Sequence, residues 1–174
     1  QVRSDRYFSH LLNEPPWRQD HIQLFERAIA LPRLTAWYGD PGRNYAYSGI
    51  HMEPLPWTPT LLEIKSRIEP LAEVEFNSVL INLYRSGRDS VAWHSDDEPE
   101  LGQNPVIASV SFGATRRFSF KHKWERSLKP IAIDLRPGSF LLMRGKTQHA
   151  WLHQIPKTQK MVEPRINLTF RVIF

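Results

Sequence analysis

Two periodicities divide the chain. In the first 75 residues, apolar positions recur at helical spacing, with Ile22, Phe25 and Ile29 inside Gln19–Ala30 and Leu62, Ile64 and Ile68 inside Leu61–Leu71. Both segments are predicted as amphipathic helices that pack on something larger. Between them the aromatic-rich stretch Thr35–Gly49 carries Asp40-Pro41-Gly42, a turn-forming triplet that predicts a β-hairpin or an extended loop. From Phe76 onward the pattern shortens to strand-like runs bounded by Gly, Pro or Asp. They are Ser78–Tyr84, Ser90–His94, Val106–Phe112, Arg117–Lys121, Ile131–Leu135, Ser139–Met143, His149–His153 and Arg165–Ile173. Eight short strands at this spacing predict a sandwich, jelly roll or barrel, and not a βαβ fold.

Composition narrows the class. A chain of 174 residues with 41% hydrophobic content suits one domain with a full core, and it contains no linker, repeat or low-complexity tract. The expectation is one domain over 1–174, with a helical extension and hairpin in 1–75 and the β core in 76–174. No run of eighteen apolar residues and no basic-then-apolar leader is present, so neither a membrane span nor a signal peptide is expected. A soluble monomer is expected, intracellular and either nuclear or cytoplasmic according to source. The sequence starts at Gln1, which allows for a native N-terminal segment beyond it. The absence of cysteine excludes disulfides, thiolate zinc, iron–sulfur clusters and a cysteine nucleophile, and leaves His and carboxylate as the metal ligands. A net charge of +5 and a pI near 9.7 favour an anionic partner such as nucleic acid.

The candidate chemistry begins at Trp93-His94-Ser95-Asp96. Side chains alternate along an extended strand, so His94 and Asp96 point the same way. A second histidine some sixty residues on, His149 or His153, would complete two histidines and a carboxylate, the set that leaves open positions on non-heme Fe(II). The last strand alternates as well, with Arg165, Asn167, Thr169 and Arg171 on one face and apolar residues on the other. A solvated face explains that pattern equally well. If the face turns inward, two buried guanidinium groups need an anion, and a small dicarboxylate suits their planar forks. Asn82 and Tyr84, alternating on Leu80–Tyr84, extend such a pocket.

Four stretches taken together carry a resemblance: Ile81–Tyr84, His94-Ser95-Asp96-Asp97-Glu98-Pro99, Ile107–Arg116 and Pro164–Arg171. From about Thr35 to Phe174 the sequence resembles the AlkB family of Fe(II)- and 2-oxoglutarate-dependent dioxygenases, especially the second and third vertebrate homologues. The resemblance implies an α+β, mainly β fold: a double-stranded β-helix (jelly-roll) core with N-terminal helices packed on one sheet. It implies His94, Asp96 and a distal histidine as iron ligands. Trp151-Leu152-His153-Gln154-Ile155-Pro156 matches the family segment and selects His153, leaving His149 and Arg144 without a role. It also implies that Arg165 and Arg171, with Asn82, Tyr84 and Asn167, hold 2-oxoglutarate, that O2 is consumed, and that Asp97 reads the exocyclic amine of a damaged base. The implied activity is oxidative dealkylation of 1-methyladenine- or 3-methylcytosine-type lesions in single-stranded or base-flipped DNA, with RNA, tRNA or a non-catalytic binding role as alternatives. Trp37, Tyr38, Tyr45 and Tyr47 are candidates for stacking on the base, and Arg85, Arg88, Arg116, Arg117, Lys121 and Lys123 for phosphate contacts.

Overall fold

A computed structural model describes residues 2–24, 27–47 and 50–174, with the side chains of 23, 24, 45–47 and 50–52 outside that description. In chain order the elements are α1 (Val2–Asn13), β1 (His21–Leu24), β2 (Arg27–Ala30), β3 (Leu34–Gly39), β4 (Tyr45–Tyr47), β5 (Ile50–Met52) and α2 (Pro59–Ala72). They continue with β6 (Ser78–Tyr84), β7 (Val91–His94), a 3-10 turn (Pro99–Leu101), β8 (Ile107–Gly113), β9 (Arg116–His122) and β10 (Ile131–Leu135). The last are β11 (Phe140–Met143), α3 (Thr147–Ala150), β12 (Trp151–Ile155) and β13 (Arg165–Arg171). All eight strands expected after residue 76 form, each within two residues of its predicted ends. No helix among the described residues is long and apolar enough to cross a membrane.

The eight strands divide between two antiparallel sheets, as in a jelly roll. The major sheet has the order β11-β8-β13-β6-β3 and the minor sheet β10-β9-β12-β7. Every residue of β13 and of β6 is buried, although β13 alternates apolar with polar throughout and β6 does so except at Leu80, because each face of the major sheet is covered by a different partner. Ile166, Leu168 and Phe170, with Val79, Ile81 and Leu83, form the main core beneath α1 and α2. The opposite face, carrying Arg165, Asn167, Thr169 and Arg171, looks toward the minor sheet. The inward reading of the last strand therefore holds, and the solvated one fails.

Helix α2 starts where Thr58 Oγ1 accepts from Leu61 N and Pro59 fills the first turn, a regular N-terminal signal. Its buried stripe is Leu61, Ile64, Ile68 and Ala72; Leu62, expected on that face, is exposed. Helix α1, which the sequence reading did not predict, docks through buried Tyr7 and Leu11. Its Tyr7 hydroxyl donates to Glu63 Oε1 of α2 at 2.6 Å.

Two expectations in the first third are corrected. The described residues of Gln19–Ala30 are not helical: β1 and β2 pair antiparallel, with Ile22 opposite Ile29, and Phe25 lies outside the described residues. All four residues of β2 are exposed, so a helical stripe has no core to bury against on that side, and the alternation in His21–Leu24 is the one strand signal in the segment. Thr35–Gly49 is not a self-contained hairpin either. Strand β3 joins the major sheet beside β6, and β4 pairs with β5.

Candidate metal centre and cosubstrate pocket

The minor sheet assembles the first three groups. Strands β7 and β12 are adjacent and antiparallel, with His94 opposite His153, and their rings lie 4.3 Å apart. Asp96, two residues beyond His94, brings its Oδ1 to 3.7 Å from His94 Nε2. One ligand atom from each of His94, Asp96 and His153 lies within 4.8 Å of the others, and no other such group occurs among the described residues.

Their electrostatics suit a divalent cation. Burial by itself would raise the Asp96 carboxyl, but the Arg171 guanidinium, then His94 and His153, override it and hold its pKa at about 2. Burial pushes the His153 imidazole down to about 4, so at neutral pH it is an uncharged ligand. His94 Nδ1 sits 2.8 Å from the Ala92 carbonyl; a proton on Nδ1 satisfies that oxygen and leaves the Nε2 lone pair free, the usual orienting device for a metal-bound histidine. Asp96 Oδ1 is buried and accepts no hydrogen bond. An ionised oxygen so placed beside the uncharged His153 imidazole and the Nε2 of His94 fits a hard or borderline metal ion.

Around this centre the inner faces supply a polar row and an apolar wall. Arg171 Nη2 donates to Asp96 Oδ2 at 3.2 Å, occupying the carboxylate oxygen that Oδ1 leaves over. Further along β13, Thr169 Oγ1 donates to Asn167 Oδ1 at 3.1 Å, and Asn167 Nδ2 donates to Ser109 Oγ at 2.7 Å. Arg165 ends the row. It is 1% exposed, its Nη2 donates to Ser111 Oγ at 2.9 Å, and its guanidinium lies 5.2 Å from the Tyr84 ring centre. Its Nε and Nη1 are buried without a hydrogen-bond acceptor, and burial pushes its pKa down to about 10. Arg165 and Arg171 thus stand at opposite ends of one row, roughly 20 Å of strand at ~3.3 Å per residue, and not side by side. The wall is Phe118, stacked on the His153 ring at 5.3 Å, with Met143 and Ile155.

Two participants, Arg33 and Gln148, were not predicted, and Lys123, expected to meet phosphate, is tied to this site. Arg33, just before β3, is buried and donates from Nε to Asn82 Oδ1 at 2.9 Å; a lone Pro-Arg pair in sequence gives no sign of this. Gln148 Oε1 accepts from Asp96 N at 2.9 Å, tying the ligand segment to α3. Lys123 Nζ reaches Gln148 O at 3.0 Å and Asp97 Oδ2 at 3.2 Å.

Other expected residues lie elsewhere. Asp97 is largely exposed and also accepts from Ser95 Oγ. Trp37 is 3% exposed, packs with Leu80, Leu101 and Ile173, and donates from Nε1 to Arg43 O; it is a core side chain and offers no open stacking face. Tyr38 belongs to the main core. The side chains of Tyr45 and Tyr47 lie outside the described residues. His149 is on α3 and not on the strand with His153, and its ring meets Trp124. Arg144 contacts Glu73 at the surface. Arg116 is no phosphate contact: it is buried and donates to the carbonyls of Ser86, Asp89 and Pro156. Arg85 and Arg117 pair with Asp89 and Asp134.

A jelly roll that gathers two histidines and one aspartate on its minor sheet defines a class, the non-heme iron oxygenases. The model of the 2OG-Fe(II) oxygenase superfamily matches residues 1–171. Alpha-ketoglutarate-dependent dioxygenase alkB homolog 3 of Bos taurus is 46% identical over 179 residues, covering 98% of this chain and 62% of its own length. DNA oxidative demethylase ALKBH2 of Homo sapiens is 42% identical over 158 residues, covering 87% of this chain and 60% of its own. The solved structure of OsALKBH1 matches at a TM-score of 0.66 and 18% identity, over 98% of this chain and 90% of that one, and supports the fold. The chain belongs to the 2OG-Fe(II) oxygenase superfamily and, within it, to the AlkB family. It spans about three fifths of the length of these curated relatives.

Proposed function

We propose that this domain removes alkyl groups oxidatively from the ring nitrogens of damaged bases in DNA, of the 1-methyladenine and 3-methylcytosine type, with 2-oxoglutarate as cosubstrate. The observation that carries the reading is the buried polar row that runs from Arg165 to the carboxylate of Asp96 and the imidazoles of His94 and His153. It offers a cation for a remote carboxylate at one end and three metal ligands at the other. Fe(II), once bound, supplies the oxidising chemistry: O2 is divided between succinate and the N-alkyl carbon, CO2 leaves 2-oxoglutarate, and the resulting carbinol releases formaldehyde and the free ring nitrogen.

The chain's own groups bind and orient. His94, Asp96 and His153 hold the ion. Arg171 engages Asp96 Oδ2, which presents Oδ1 as a single donor. Arg165, whose Nε and Nη1 have no acceptor, takes the distal carboxylate through its planar fork, beside Tyr84, Asn82 and Asn167. Phe118 against His153 keeps water from that side. Asp97, next in chain to Asp96 and open to solvent, accepts from the exocyclic amine of the target base. A base in a duplex cannot reach the ion, so the substrate is single-stranded or flipped out, which costs least for a lesion that pairs badly.

The test is turnover of matched deoxy- and ribo-oligonucleotides carrying one 1-methyladenine, with succinate and formaldehyde both measured. Equal yields of the two products, larger on the deoxy strand, are expected. Larger turnover on the ribo strand moves the substrate class to RNA, and no succinate on either overturns the reading.

A further inference from the structure

The inner face of the minor sheet continues past the ligands. Phe120 lies opposite His153, and two residues along, His122 lies opposite Trp151. The alternation of side chains therefore puts His122 and Trp151 on the face of His153, nearer the strand ends. Their rings are 5.0 Å apart at 82°. Two more rings join them: Trp124 is 5.6 Å from His122, and His149 of α3 is 5.8 Å from Trp124. The metal centre uses none of the four.

Trp124 is 62% exposed, yet two imidazoles meet its ring at 72° and 63°, so its orientation is set while much of its surface stays open. Its segment, residues 122–130, carries Lys123, Arg126 and Lys129 against a single acid, Glu125, whose carboxylate accepts from Ser127. Leu128 is its one large aliphatic side chain. Lys123 joins this patch to the site through Asp97 and Gln148. A fixed, open aromatic ring among cations is how proteins hold unpaired strands, bases stacking on the ring and phosphates meeting the charges.

We propose that Trp124, braced by His122 and His149 and backed by Trp151, is a stacking platform for an unpaired nucleotide that flanks the target base. The assignment rests on the nucleic-acid reading above and adds to it a subsite and the residue that forms it. The platform explains why an indole is left in water beside the mouth of a metal site, and it makes affinity depend on bases as well as on charge.

The experiment is fluorescence anisotropy with two end-labelled decamers of equal charge, one of oligothymidylate and one of abasic sites, against wild type, Trp124→Ala and Trp124→Phe. Wild type is expected to prefer the oligothymidylate at least about fivefold, near 1 kcal/mol at tenfold per 1.4 kcal/mol, the low end for one stacked base. Trp124→Ala is expected to lose most of that preference while binding the abasic decamer as before, and Trp124→Phe to keep most of it. Equal binding of both decamers by wild type, or an undiminished preference in Trp124→Ala, overturns the platform alone. Failure of wild type to bind either decamer overturns both the platform and the nucleic-acid reading.

Discussion

Replacing Arg165 by methionine separates a residue kept for a ligand from one kept for the fold. Burial lowers its pKa from the ordinary guanidinium value to about 10, the attraction of Tyr84 already included, which at 1.36 kcal/mol per unit is a net penalty of about 3 kcal/mol. Against this, the bond to Ser111 contributes about 1 kcal/mol. Methionine, unbranched and adaptable, fills most of the volume. The metal-free variant is therefore expected to be as stable as wild type or more stable by up to about 2 kcal/mol, a rise in Tm of at most ~4–8 °C. A guanidinium whose charge the fold itself satisfies would instead cost ~3–5 kcal/mol on removal. The assay is thermal unfolding of metal-free protein, then of protein with Mn(II) and 2-oxoglutarate. Wild type is expected to gain about 2.7 kcal/mol from the diacid at a hundredfold excess over Kd. The variant, lacking a charged hydrogen bond worth ~1.5–3 kcal/mol, is expected to keep little of that gain. A large fall in Tm without ligand, or an unchanged response to 2-oxoglutarate, would refute the reasoning.

Three other outcomes follow from the same geometry. Gln148→Leu strips the acceptor from Asp96 N and is expected to weaken Mn(II) binding about 10–100-fold, as loss of an orienting group around a metal does, measured by calorimetric titration. Leu168→Ala, at a fully buried site under the helices, is expected to cost about 2–5 kcal/mol in urea unfolding without altering the succinate-to-formaldehyde ratio. At Asp89 burial pushes the carboxyl up, but hydrogen bonds and charge from Arg85, with Arg116, outweigh it and leave the folded pKa below the ordinary value. The stabilisation is then complete above the unfolded pKa of roughly 3.9 and is lost as pH falls through the folded value. Asp89→Asn should flatten the acid limb of the stability curve below about pH 4, and an unchanged limb would remove Asp89 from that role.

The alternation in Arg165–Arg171 shows in sequence how the strand splits into two faces, but not which of them meets water; that depended on the helices, and α1 had no recognised signal. His94 and Asp96 were legible because a local strand brings them together. His153 needed the antiparallel pairing of β7 with β12, which no local pattern encodes, and the resemblance identified it. His149 was placed on the wrong element because four residues of helix are too short to leave a period. Gln19–Ala30 carries Ile22 and Ile29 at helical spacing, but the exposed strand β2 gives that stripe nothing to bury against. Arg33 and Gln148 act through contacts distant in sequence, so nothing in their neighbours announces them.

The most direct test of the account is a crystal structure grown without oxygen in Mn(II) and 2-oxoglutarate. One ion held jointly by His94, Asp96 and His153, with the far carboxylate of the diacid on Arg165, is the expected result. An ion bound elsewhere, or a diacid that leaves Arg165 untouched, would contradict it.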